Sequence, residues 1–506
     1  MNENHVRALV AKRWSKLGFV LLLIFVVSFA IRAFRLDFYS LWYDEVNTAS
    51  LVQLATAGGA LDRIINTTGS ETLHPLYYLM LSGWVRLAGN SPWMLRFPSV
   101  LFGSLAVVVY AALLYQVSKR KTLAFGLLLI VSPFLVWYSR DARPYALIMF
   151  LTGLHLLFYL KLLAQPQSKK HLLGFVITGI LSVYSGIFVG MLLMAELAWS
   201  ILRRRPREIA AVVLVLIVAL PLVWHGCRTF FQPASDRYRD LPTGINAVRI
   251  VGFPQEFLVA RSLGPTPDEV RRSPLGEALR GKSLEIGVEI IAIVCIFTSL
   301  VACIKSRRGV SASNQYSTRA IHMLGFITVA VCLQAALLIA ITGYQMNARH
   351  IGFVFGPLFV LCIYPIARAQ GYFRKVLFVA PLLVLWTWSS ANQLFDSSYV
   401  TEDFKTAARI IESGEHHASR AVALCNVRAL RYYGVTKSLT FLPESAQVTG
   451  EVVEGLLRND SNPVWLVLSR PWNYPNFHFE DLASYFQILQ TKELPGIHMW
   501  LLVPNR

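Results

Sequence analysis

Asp44 and Glu45 stand side by side in RLDFYSLWYDE (35–45), directly after Trp42 and Tyr43 and just past an apolar run. A carboxylate held beside aromatic rings at a membrane interface loses part of its water, and within reach of a hydroxyl it can serve as a general base. In WYSRDARPYAL (137–147), Asp141 lies between Arg140 and Arg143. Arg143 has the fork that meets a phosphate, while Asp141 could position an acceptor or a divalent metal; a purely structural Arg–Asp clasp is the other reading. Arg349 and His350 close the segment GYQMNARH (343–350). A guanidinium there suits a lipid phosphate, or acts as an interfacial anchor. His74, directly before Pro75, can hydrogen-bond a substrate or cap a helix. Glu196 is the candidate intramembrane acid, and the one residue that would support proton-coupled transport.

Positioning these groups is the task of a mostly apolar chain. It has 506 residues, 55% of them hydrophobic, and a mean hydropathy of +0.49. The apolar runs exceed what a soluble core needs and show no strand-like alternation, so the expectation is an α-helical polytopic membrane protein. The formal net charge of +19 comes from basic residues at the ends of apolar runs, which indicates membrane topology and no nucleic-acid partner. Spans are expected near 17–34, 97–118, 122–138, 145–163, 172–187, 188–202, 209–226, 284–304, 321–342, 351–367 and 376–390. That makes about eleven transmembrane helices, with a hairpin turning near Tyr184–Gly186 and basic loops on the cytoplasmic side.

The segment HPLYYLMLSGWVRL from His74 is expected as an interfacial helix on the outer leaflet. The division is then a transmembrane catalytic module over 1–390, with its catalytic outer loop at about 35–94, and a small extracytoplasmic α/β domain over 391–506. Of six cysteines, only Cys227 and Cys425 fall outside apolar runs. Asn66 and Asn459 begin formal glycosylation sequons. No Walker or Rossmann glycine loop, HExxH, GxSxG or CxxC occurs, so an activated substrate must bring its own leaving group.

Taken in order, RLDFYSLWYDE, HPLYYLMLSGWVRLAG, MLRFPSVLFGSLAVVVYAALL (94–114) and YSRDARPYAL resemble the C superfamily of membrane glycosyltransferases. The resemblance is to the family 39-like branch of protein O-mannosyltransferases and lipid A aminoarabinose transferases. It is carried by roughly the first 160 residues and implies a GT-C type membrane module using a sugar on a polyprenyl phosphate. Inverting transfer to a hydroxyl of a glycan, lipid or protein acceptor follows from it. Asp44 matches the position of the base, with Glu45 beside it; Asp141 matches an acidic position often filled by glutamate, and Arg143 its basic partner. Arg349 resembles the arginine that meets the lipid phosphate, with His350 where an aromatic is common, and Leu76 stands where a second proline is frequent. Tyr43, His74 and His350 are the expected substrate contacts. Asp44 and Asp141 stay open either as ligands of a divalent metal or as direct contacts. A bacterial inner membrane with the site facing outward is the expected location. The alternatives are a lipid-linked saccharide transporter or flippase, an oligosaccharide ligase, and a membrane scaffold.

Overall fold

The structure, a computed structural model, describes residues 3–56, 70–118, 123–231, 247–266, 275–305, 315–342, 344, 346–368, 371–399, 401–413, 420–424, 426–442, 449–457, 462–470 and 477–505, with 59, 62, 64 and 269. Asn66, Asn459, Cys425 and the side chain of Cys227 lie outside the described residues.

The principal helices of the apolar part are α1 (Glu3–Ala33), α2 (Tyr43–Thr56), α3 (Pro75–Ala88), α4 (Pro92–Ser118), α5 (Pro133–Ser139), α6 (Tyr145–Ala164), α7 (Lys169–Ser185), α8 (Val189–Leu202), α9 (Pro206–Phe231), α10 (Ala247–Val259), α11 (Ser283–Lys305), α12 (Gln315–Thr342), α13 (Phe355–Arg368) and α14 (Tyr372–Phe395). Proline opens α3, α4, α5 and α9, where its missing N–H costs nothing. Among the described residues, six stretches are long and apolar enough to cross a membrane: Pro92–Ser118, Tyr145–Ala164, Pro206–Gly226, Ser283–Ala302, Gln315–Thr342 and Ala348–Arg368. Their uncovered faces are greasy. Leu214, Ile217, Leu220 and Trp224 on α9, and Val329, Leu333, Leu337 and Ile341 on α12, are exposed at helical spacing. Such stripes suit lipid and not water. The chain is a multi-pass membrane protein.

Two local features set the site's framework. Where a hairpin is expected near Tyr184–Gly186, the chain forms two helices, α7 and α8, parted at Gly186–Phe188. The run expected as one continuous span over 122–138 is instead a helical turn (Leu123–Gly126), a 3-10 segment (Leu127–Val131) and α5. Pro133 is the cause: it lacks an N–H and pushes Ser132 to an extended backbone (ψ 117°). Carbonyls freed by such a break need partners inside a membrane. Arg32, fully buried at the end of α1, donates to the Ile130 carbonyl at 3.2 Å and to Ser139 Oγ at 3.1 Å. Ser390 takes the Val131 carbonyl at 2.9 Å and Gln393 the Pro133 carbonyl at 3.1 Å. These side chains fix α5, and with it the turn that carries Asp141 and Arg143.

Beyond α14 the chain alternates helix and strand: α15 (Phe404–Glu412), β1 (Arg420–Leu424), α16 (Val427–Tyr432), β2 (Ser438–Phe441), α17 (Gly450–Leu457), β3 (Val464–Ser469), β4 (Phe486–Leu494) and β5 (Ile497–Pro504). The sheet order is β2-β1-β3-β5-β4. The β1 strand is parallel to β2 and β3, whereas β5 is antiparallel to β3 and β4. Every residue of β3, VWLVLS, is buried, as befits a central strand covered on both faces. One face, with Trp465 and Val467, joins Phe404, Ala408 and Ile411 in a core that also contains Val46, Ala49 and Val52 of α2 and Tyr77, Tyr78 and Leu81 of α3. Helices α2 and α3 are therefore shared between the membrane bundle and the sheet.

Candidate active site

Asp44 and Glu45 both lie in the first turn of α2, where the helix dipole favours negative charge, yet they face different surroundings. Glu45 is fully buried. Its Oε1 accepts from Arg96 Nε and from the Ala142 backbone N–H, both at 2.8 Å, and its Oε2 from Arg96 Nη2 at 2.6 Å and the Trp42 N–H at 3.3 Å. Arg96 spends its remaining N–H groups on the carbonyls of Leu36, Tyr39 and Ser40. This pair joins α4, the entry to α2 and the 139–143 turn. It leaves Glu45 no room to act on a substrate.

Asp44 is open. Its carboxylate stands 3.7 Å from Arg349 Nη1, and both side chains are about one-fifth exposed, at 22% and 23%. Arg349 rises from a 3-10 turn, Ala348–Val354, ahead of α13. Its guanidinium lies 5.7 Å from the Trp42 ring centre and 5.6 Å from that of Tyr145. His350 locks that turn: its Nδ1 accepts the Asn347 N–H at 2.9 Å in a capping box, and its ring packs on Phe188 and Tyr344.

Arg143 is buried and donates through Nη1 to Glu71 Oε1 at 3.1 Å, Thr48 Oγ1 at 3.3 Å and the Asp44 carbonyl at 3.4 Å. Asp141 is not clasped by either neighbouring arginine side chain among the described residues. Arg140 instead binds the carbonyls of Arg32, Phe34 and Arg35, and Asp141 Oδ1 accepts from Trp42 Nε1 at 2.9 Å. Asp141 Oδ2, Arg143 Nε and Arg349 Nε are buried with no hydrogen-bond partner. Unpartnered buried polar atoms on three charged side chains near one helix turn are groups that a bound ligand could satisfy. Asp141 also lines a cavity of about 90 Å³ with Trp42, Tyr39, Trp137 and Tyr399.

Burial, reinforced by the negative charge of Glu45, raises the Asp141 carboxyl above the usual carboxylate range. The folded state therefore binds this proton more tightly than the unfolded chain. Its burial is cheapest at low pH, and the cost grows as pH climbs from the ordinary carboxylate pKa to the raised one, by roughly 1.4 kcal/mol per unit. Asp141→Asn is expected to gain thermal stability relative to wild type as pH rises from 5 to 8 in detergent. Parallel melting curves at both pH values would expose the error.

His74 is also buried, and desolvation pulls its pKa down to about 4, helped by Arg143 and Arg349 and opposed by its bond to Ser185. As a neutral ring it donates from Nδ1 to the Ser185 carbonyl at 2.8 Å, which leaves Nε2 as an acceptor. The next link is parallel, with the Ile187 N–H donating to the Leu73 carbonyl at 3.2 Å. His74 thus pins the start of α3 to the α7–α8 break. It lines a small recess with Tyr145, Phe188, Arg349 and His350. Tyr43 places its backbone N–H on Glu402 at 2.8 Å, with the Arg470 guanidinium 4.1 Å over its ring.

The structure thus gathers Arg143 and Arg349 around Asp44 and Tyr43 in the first turn of α2 and joins Asp141 to them through Trp42; Glu45 and Asp141 line one recess, and His74, Arg349 and His350 line another. The sequence reading missed Glu71, Arg96, Glu402 and Arg470. Arg96 had a signal, as an arginine within an apolar helix. No group of three or more His, Cys, Asp or Glu side chains converges among the described residues, so they do not build a metal cage by themselves.

Residues 72–225 match the family described as dolichyl-phosphate-mannose-protein mannosyltransferase, a GT-C glycosyltransferase family. The matched segment includes His74, Arg96, Asp141 and Arg143. Among solved structures the chain is similar to ArnT from Cupriavidus metallidurans in the apo state (13% identity, 97% of this chain and 98% of that one, TM-score 0.46). It is similar to the same protein bound to undecaprenyl phosphate (15%, 97% and 98%, TM-score 0.45). A third similarity is to the Archaeoglobus fulgidus oligosaccharyltransferase AglB in complex with an inhibitory peptide and a dolichol-phosphate (12%, 98% and 76%, TM-score 0.46). No curated protein matches the chain in sequence.

Proposed function

We propose that this protein transfers a single sugar, with inversion, from a polyprenyl-phosphate donor to a hydroxyl of a glycan, lipid or protein acceptor. The reaction takes place on the extracytoplasmic face of a bacterial inner membrane. The observation that carries this reading is the open pairing of Asp44 with Arg349, with Arg143 beside it. Asp44 takes the proton of the acceptor hydroxyl as its oxygen bonds to the anomeric carbon. The bond from that carbon to the phosphate oxygen breaks, and its electron pair leaves with the polyprenyl phosphate. Arg349 and Arg143 meet the charge that develops there, and their unpartnered Nε groups supply the hydrogen bonds. Asp141, holding its proton more readily than an ordinary carboxyl, can donate to a sugar or phosphate oxygen from within the cleft. Glu45 acts through position alone, by holding the turn of α2 that presents Asp44. The outward orientation is supported by the basic loops at the opposite ends of the helices.

The test is incubation of purified protein with radiolabelled sugar on polyprenyl phosphate and a membrane extract of a strain from which the gene has been deleted. Labelled acceptor with inverted anomeric configuration, and stoichiometric polyprenyl phosphate, are expected. Arg349→Ala should raise the donor KM by about 10- to 100-fold, the value of one lost charge-assisted contact. Label that crosses sealed vesicles without leaving the lipid would instead establish a flippase.

A further inference from the structure

Helix α2 has one local capping contact among the described residues, the Trp42 N–H on Glu45 Oε2 at 3.3 Å, and it leaves the Tyr43 N–H to be met from elsewhere. The residues before it are Leu41 and Trp42, neither able to satisfy the first backbone N–H groups, which have no partner inside a helix. The Tyr43 N–H is met from 359 positions away by Glu402 Oε2, at 2.8 Å. Glu402 is fully buried, and its other oxygen accepts from Arg470 Nε at 2.7 Å. A lone carboxylate in that place would be expelled or neutralised, so the guanidinium is what keeps it there as an anion.

Arg470 is itself held against its own preference. It directly follows β3 with φ 56°, a left-handed backbone that costs a non-glycine residue. From there its guanidinium lies 4.1 Å over the Tyr43 ring, and Asp44 is among the charges that act on it. The other side of Glu402 is braced as well. The Asp403 N–H donates to the Pro495 carbonyl at 3.0 Å, and Gly496, at φ 64°, sits so close to the Thr401 carbonyl that any side chain there would collide with it. The β4–β5 turn, the end of β3 and the chain entering α15 thus converge on one carboxylate that grips the residue next to Asp44.

We infer that Glu402 and Arg470 are positioning residues for the base: the C-terminal sheet sets the first turn of α2, and through it the distance from Asp44 to the acceptor hydroxyl. This rests on the reading of Asp44 as the base of a sugar transfer. The pair touches Asp44's neighbour and neither Arg143 nor Arg349 directly, and Arg143 keeps its bond to Glu71, off α2, so the larger effect falls on turnover and the smaller on donor binding. A displacement of about 1 Å at a reacting group costs on the order of 10²-fold in rate.

The experiment compares Glu402→Gln, Arg470→Ala, Arg470→Lys and the interface control Tyr432→Phe in the full-length purified protein, measuring kcat, donor KM, acceptor KM and melting temperature. Tyr432 also bridges the C-terminal region to the membrane part, through the Asn90 carbonyl; its helix packs on α2, but this hydrogen bond does not touch the Tyr43 N–H. Expected is a fall in kcat of roughly 10²-fold for Arg470→Ala, a smaller one for Glu402→Gln, partial recovery in Arg470→Lys, and wild-type kcat in Tyr432→Phe. Donor KM stays within about twofold throughout. A lowered melting temperature with wild-type kcat in the folded fraction would reduce the pair to interface glue. A raised acceptor KM at unchanged kcat would make Arg470 an acceptor contact and overturn the positioning role. Wild-type protein inactive with every donor would sink the transferase reading itself, before the variants are compared.

Discussion

Asp44→Asn is expected to lose transfer by about 10²- to 10⁴-fold, the usual worth of a positioned general base, with insertion, yield and melting temperature close to wild type. The carboxamide has the shape of the carboxylate but cannot take the hydroxyl proton. Little structure depends on the acid itself: its side chain is about one-fifth exposed, and its one ion pair among the described residues is the 3.7 Å contact to Arg349. The helix turn is held by other groups, namely Glu402 on the Tyr43 N–H and Thr48 Oγ on the Asp44 carbonyl. Donor affinity is expected to hold or improve, because Arg349 no longer divides its charge between Asp44 and the phosphate. The measurement is single-turnover transfer of labelled sugar alongside a thermal melt in the same detergent. Wild-type rates in the Asn variant would remove Asp44 as the base and direct attention to Asp141.

How far the sequence could go is visible in particular residues. The motifs around Asp44, Asp141 and Arg143 were legible because each sits at the end of an apolar run, where charge has a cost and so carries information. Arg349 was legible for the same reason. The helices α7 and α8 could be separated at Gly186 because basic flanks demanded an even number of crossings between them. The break ahead of α5 was not foreseen, although Pro133 announced it: hydropathy averages over a window and does not register one missing N–H. The different surroundings of Asp44 and Glu45 could not be read at all. Adjacent residues on a helix point about 100° apart, and which one meets solvent depends on where Arg96 and Ala142 arrive. Glu402 and Arg470 left no local trace, since their meaning lies in a contact made only after the sheet has folded.

That difference between the two acids yields the second large effect, and it falls on stability. Glu45→Gln is expected to destabilise the protein by about 3–5 kcal/mol, the typical cost of leaving one member of a buried ion pair alone. Arg96 would remain buried, committed to the carbonyls of Leu36, Tyr39 and Ser40 and without its counter-charge. In many proteins an apolar replacement of both partners recovers such a loss. Here Glu45→Leu with Arg96→Met should not, because those three carbonyls and the Ala142 N–H would all lose their partners at once, inside a region with little water to replace them. The charge-reversed pair Glu45→Arg with Arg96→Glu should fail for a related reason: a guanidinium cannot accept from Ala142, nor a carboxylate donate to carbonyls. Melting temperature and detergent-extractable yield of the single, double and reversed variants measure this directly. Recovery in the double apolar variant would show that the pair contributes charge balance alone, and that the chain entering α2 is held elsewhere. Continued loss would show that Glu45 and Arg96 form a hydrogen-bonding hub whose polar connections, more than its charges, keep Asp44 facing Arg349 across the cleft.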